Sequence, residues 1–260
     1  MQFPYNRYQT LAEPLPVTYP AGAESLARLV SQTVSQANQK LTQLLQLAPP
    51  ELDLLVVDMS DWHLAPHEED EEVEAPHPYL TQVTPRLTLV VPVEFDALFG
   101  EMVPEKVAFM LYHEVALAFI EADPRPWPEN NPLWADEWQF KFAALWLARE
   151  INGVQDVVNQ DLFTEYEDLF EPEPDGKTPD TVRGFDWYAD TTPEDYLGYE
   201  LLLERFAADL LTKYGVKILP SFLTLYRQER EELLSDDVTA ILSSVLGPDG
   251  NEWLEELIYF

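Results

Sequence analysis

The chain has no cysteine among its 260 residues, which excludes disulfides, cysteine nucleophiles and thiolate metal sites at once. Basic residues are scarce as well: 15 Lys and Arg stand against 48 Asp and Glu, a formal net charge of −33. Such a chain offers no basic face to nucleic acid or to an anionic membrane, so neither is expected as a direct partner. Nine glycines are few for phosphate-cradling loops, and the Walker-type, dinucleotide-binding and nucleophile-elbow glycine motifs are all missing. No apolar run of about 18 uncharged residues occurs, and the start MQFPYNRYQTLAEPLP does not join a basic stretch to an apolar run of secretory length. The expectation is a soluble, cytoplasmic protein.

A hydrophobic content of 46% is enough for one large core or two modest ones. The first 20 residues, rich in Pro and Tyr, read as extended. From Ala21 to Leu47 apolar residues recur at helical spacing until Pro49-Pro50. LDLLVVDM and LTLVVPVEF, starting at Leu52 and Leu87, are strand candidates, and Pro92 inside the second predicts an edge position or a bulge. Between them, residues 61–79 hold His63, His67 and His77 in an acidic loop that prolines keep from being helical. Imidazoles and carboxylates there could bind a divalent metal, while charge runs more commonly form a solvated loop.

Val103 to Ile120 reads as a helix, with Pro104 in its first turn and Asp123-Pro124 beyond its end. From Val107 it is apolar on every side except at Tyr112, His113 and Glu114, so it belongs in the interior, and its polar groups need partners, a metal or a cleft. Residues 133–151 form a second core helix with a thick aromatic face and Asp136 and Glu137 in its first turn. Residues 152–190 turn acidic and proline-rich, and DLFTEYEDLFEPEPDGKTPD reads as a loop or loosely held hairpin. Helices follow from the Thr192-Pro193 start to Gly215, around Pro220 to Leu234, from a Ser235 cap to Gly247-Pro248, and over Asn251 to Ile258.

The pair YHEVAL, from Tyr112, and WADE, from Trp134, resembles the active-site helices of gluzincin metallopeptidases, in which a buried helix bears H-E-x-x-H and the next supplies a glutamate ligand. The long helix ending in Tyr214-Gly215 is similar to one that follows in such enzymes, and the likeness spans residues 22–246. The resemblance implies His113 as a zinc ligand, Glu114 as general base, Glu137 as the further ligand, and Tyr196 or Tyr199 as an oxyanion donor, with Trp134 and Asp136 as binding residues. Two positions depart from the pattern: Leu117 stands where the second histidine belongs, and Trp138 where the family has glycine. Leucine coordinates nothing, so the resemblance implies a degenerate site and no cofactor, or zinc if His63 or His67 completes the set. Read without it, His113 is a core histidine, Glu137 pairs with Lys141 one turn on, and the tyrosines pack internally.

The expected fold is therefore α+β, mostly helical and zincin-like, with a small N-terminal sheet. Its expected organisation is a subdomain over 1–152 carrying the HE and WADE helices, an acidic loop or linker over 153–190, and a helical subdomain over 191–260. The leading functional expectation is a metallopeptidase-like protein that has lost zinc-dependent hydrolysis and works as a binding or regulatory module for a protein or peptide. The alternatives are an active metal-dependent hydrolase with a non-standard ligand set, and an acidic decoy that mimics nucleic acid toward a basic protein through residues 68–74 or 161–175.

Overall fold

In the computed structural model, which describes residues 3–67, 76–170, 181–186 and 191–260, the two β-favouring runs are adjacent parallel strands. They are β3 (Leu52–Val57) and β5 (Leu87–Pro92), accompanied by β1 (Tyr8–Leu11), β2 (Val17–Pro20) and β4 (Tyr79–Thr81). The sheet order is β1-β2-β3-β5-β4, with parallel pairing at its centre and antiparallel strands at both edges. Leu54 to Val57 are all buried, as a central strand covered on both faces must be. Alternation sends Leu55, Val57 and Val90 to one face, where they pack with Phe3, Trp62 and Ala65.

Contrary to the edge expected from Pro92, β5 lies inside the sheet. The proline is tolerated because it is the last residue of the strand: β4 pairs only as far as Val90, so no ladder bond is asked of the missing N–H. Its neighbour resumes the β3 side, where the Val93 N–H donates to the Val57 carbonyl at 3.0 Å.

Helix α1 (Glu24–Leu45) lies on the sheet and on α2 (Pro104–Glu121). Its buried stripe of Ala27, Val30, Val34, Ala37, Leu41 and Leu44 has the helical period. Ser31 on the same side ties down the β1–β2 connection, accepting from the Leu15 N–H at 2.9 Å and donating to the Leu15 carbonyl at 2.8 Å. These elements make one compact unit, residues 1–97 with 101–122.

The second unit takes residues 98–100 and 123–260. It holds α3 (Trp134–Leu147), α4 (Gln160–Glu165), α5 (Pro193–Tyr214), α6 (Ile218–Tyr226), α7 (Ser235–Leu246) and α8 (Gly250–Glu256). Helix α3 belongs to this unit, where its apolar faces are covered by α5 and α6. At its centre Trp138, fully buried, meets the rings of Phe222 at 4.8 Å, Phe142 at 5.8 Å and Phe206 at 6.3 Å. Helix α5 begins as its sequence predicts, with Thr192 and Asp195 forming a reciprocal capping box ahead of Pro193.

Three local expectations change. Part of the acidic stretch is helical: α4 and a 3-10 turn at Glu167–Phe170 replace the expected loop or hairpin, because Leu162, Phe163, Tyr166, Leu169 and Phe170 form an apolar side that packs on α5. Helix α6 stops at Tyr226 and not near Leu234, since Gln228 to Glu232 offers no apolar residue to bury. Ser235 is the first residue of α7, not its cap; Asp237 instead accepts from the Leu234 N–H at 2.9 Å. Among the described residues, no helix is long and apolar enough to cross a membrane.

Two glycines separate packing from backbone freedom. A Cβ on Gly250 would fall 2.5 Å from the Ser243 carbonyl oxygen and 2.8 Å from Leu246 Cβ, whereas on Gly198, inside α5, the nearest atom is 3.8 Å away in Leu169. Gly250→Ala should therefore cost about 1–3 kcal/mol through overpacking. Gly198→Ala should stabilise by up to about 1 kcal/mol through helix propensity. Urea denaturation of both variants against the parent checks the opposite signs.

Candidate functional site

Pro104 as first residue of α2 needs no hydrogen-bond partner for a backbone N–H, and the helix runs unbroken to Glu121. Between Lys106 and Ile120 every position is buried except Met110, His113, Glu114 and Leu117, which are half-buried. Their spacing of three, one and three puts them in a single stripe. The side chains of His113 and Glu114 keep 19% and 13% of their exposure, and His113 Nδ1 lies 3.1 Å from Glu114 Oε1. The fourth member of the stripe is Leu117, a hydrocarbon side chain with no donor atom. Beneath, burial pushes the Tyr112 hydroxyl up to about 12, keeping it neutral.

Trp134, Asp136, Glu137, Tyr196 and Tyr199 all belong to the second unit, while His113 and Glu114 belong to the first. Glu137 is half-buried in the first turn of α3. One turn on, Lys141 makes an ion pair with Glu200 of α5, both side chains largely buried. Tyr199 stacks on Phe185, ring centroids 4.2 Å apart, and its hydroxyl is raised far above its ordinary value by burial, then by the negative charges of Glu137 and Glu200. The seam between α3 and α5 therefore gathers Glu137, Lys141, Tyr199 and Glu200. Tyr196 stands nearby on α5, half-buried, edge-on to Phe99 at 6.3 Å.

Trp134 is internal, 2% exposed, with its indole N–H donated to Ser235 Oγ at 2.8 Å and its ring edge against Phe260. Asp136 sits in a polar nest of its own: Asn131 Nδ2 donates to it at 2.6 Å and the Tyr226 hydroxyl at 3.1 Å. Burial raises its carboxyl to about 6; the adjacent Glu137 adds to the rise, and the two hydrogen bonds and Arg227 oppose it. Arg227, 1% exposed, lies with its guanidinium carbon 3.2 Å from the ring centre of Trp127 and donates to the Arg125 carbonyl at 3.0 Å.

Of the loop histidines, His63 and His77 are exposed, and His67 Nδ1 approaches the Ala65 carbonyl at 2.6 Å. The acidic residues 68–74, and 171–175 of the second acidic segment, lie outside the described residues. Among the described residues, no three His, Cys, Asp or Glu side chains are gathered so as to hold a metal ion. The residues present do not fit the zinc centre that the resemblance implies: of its three protein ligand positions, the one at Leu117 has no donor atom.

Sequence reasoning missed Glu200, Glu204, Tyr226, Asn131 and Arg227. A signal existed for two of them: Glu200 and Glu204 fall four apart on α5, on the side that also carries the buried Leu197 and Leu201. Acids on the apolar side of a helix are there because something pairs with them.

These units define an α+β protein, mostly helical, with a five-stranded mixed sheet. No family model matches the chain, and no curated protein matches it. Among solved structures it is similar to the crystal structure of Legionella pneumophila aminopeptidase A in complex with aspartic acid, with 15% identity and a TM-score of 0.46 over 96% of this chain. The chain spans 27% of that protein's length.

The raised Asp136 carboxyl has a signed consequence. Its folded value of about 6 lies above the ordinary 3.8, so its contribution to stability is fully present below pH 3.8 and is lost as pH rises through about 6. Asp136→Asn, neutral throughout, should flatten the pH dependence of unfolding across that window by on the order of 1–3 kcal/mol. Denaturant melts at several pH values check this, and an unchanged slope refutes it.

Proposed function

We propose that the chain is a metallopeptidase-like protein without zinc-dependent hydrolysis, acting as a binding or regulatory module for a protein or peptide. The observation that carries this reading is the stripe on α2. It keeps the imidazole and carboxylate of an H-E pair neighbouring and partly open, at 19% and 13% side-chain exposure, while Leu117 on the same stripe supplies isobutyl where a metal would need nitrogen. On this reading the stripe serves recognition: His113 and Glu114 can exchange hydrogen bonds with a backbone or polar side chain, and Met110 and Leu117 can cover apolar surface. The net charge of −33 favours a basic partner over an acidic one.

Calorimetric titration of the purified chain with zinc should find no stoichiometric tight site, and Leu117→His should raise zinc affinity by roughly 10- to 100-fold or more. One equivalent of tightly bound zinc on the unaltered chain, abolished by His113→Ala, would overturn the reading.

A further inference from the structure

Helix α4 is too short to hold itself together, and its first N–H groups have no side chain of its own to accept them. A carboxylate from another helix instead fastens the two residues that lead into it, Val158 and the N-cap Asn159. Glu204, near the middle of α5 and 1% exposed, accepts from the backbone N–H of Val158, from the Asn159 N–H at 3.2 Å, and from Asn159 Nδ2 at 2.6 Å. Burial raises its carboxyl, and these donors together with Lys141 oppose the rise.

Beyond this fastener the attachment is slight. Leu162 is the one buried residue of α4, and the turn at Glu167–Phe170 has none. Leu162 packs on Leu197 and Leu201 of α5, with Phe163, Tyr166, Leu169, Phe170, Leu98 and Phe99 around it as a separate small cluster. Every acid of the segment, Asp161, Glu165, Glu167 and Asp168, faces water, on a chain that already carries a net charge of −33. Self-repulsion therefore acts to lift the segment off, and few buried contacts oppose it.

We propose that residues 158–170 form a strap that leaves and rejoins α5 as a unit, with the Glu204 carboxylate as its fastener and Leu197 and Leu201 as the surface it uncovers. The strap is a conformational device of the second unit, independent of whether the α2 stripe binds anything.

Hydrogen exchange on the intact chain tests it. Amides of residues 160–170 should open at least about 100-fold more readily than those of Leu202 to Leu210 in α5. Glu204→Gln keeps the volume but sets an amide N–H against buried donors, and should speed exchange in 160–170 by about tenfold or more while leaving α5 unchanged. Leu162→Ala should do the same through lost packing, and so keeps the test open if the first variant folds poorly. Because the chain has no cysteine, Leu201→Cys gives a single thiol; it should react with a thiol reagent faster when combined with Glu204→Gln. Exchange of 160–170 at the same rate as α5 overturns the strap, and unchanged strap exchange in Glu204→Gln overturns the role of the carboxylate.

Discussion

A helix apolar on every side must be covered on every side, and both units are arranged to meet that demand. In the first, α2 is buried from Lys106 to Ile120 apart from one stripe, with α1 and the sheet as its company. In the second, α3 is enclosed by α5 and α6 around Trp138. The same demand disciplines the polar side chains these helices carry. Lys141 faces Glu200 across the α3–α5 seam, and Gln139, fully buried, donates to the Ala135 carbonyl one turn back. Each is held where an unmet donor would cost about 1–3 kcal/mol or more.

Covering α2 so completely leaves its chemistry to four side chains, and position 117 decides what they can do. With a second imidazole the stripe would offer two nitrogen donors four residues apart on one face. With leucine it offers one imidazole, one carboxylate and two hydrophobes. The contact between His113 and Glu114 holds that imidazole and that carboxylate side by side.

The helices were legible because their signals are local. Pro104, the Thr192-Pro193 start and Gly215 mark their elements in the sequence and in the structure alike. What escaped was set by distant partners. The inner position of β5 depends on how far β4 pairs, which Pro92 alone does not reveal. Helix α4 depends on Glu204, 45 residues away from Asn159, and on an aromatic side hidden among acids. The candidate site divides in the same way. The H-E pair is adjacent in sequence and adjacent in space, whereas the neighbours of Asp136 come from residues 131, 226 and 227 and no spacing rule connects them.

The scarcity of cations shapes the surface as much as the abundance of acids does. Several of the 15 Lys and Arg are spent inside the fold or along its seams: Arg7 on Asp61, Arg125 on Asp123, Lys141 on Glu200, and Arg205 on Asp156 and Asp209. The buried acids accordingly have local partners, as Asp61 and Asp123 do in Arg7 and Arg125. The cost appears outside, where most of the 48 acids have too few counterions within the chain to balance them. The resulting field repels polyanions, speeds encounter with cationic surfaces, and weakens as salt is added. It also sets the mechanical state of lightly attached acidic segments: on a surface this negative, a stretch bearing four exposed carboxylates stays down only where a buried contact or a buried hydrogen bond holds it, which is the work Leu162 and Glu204 share.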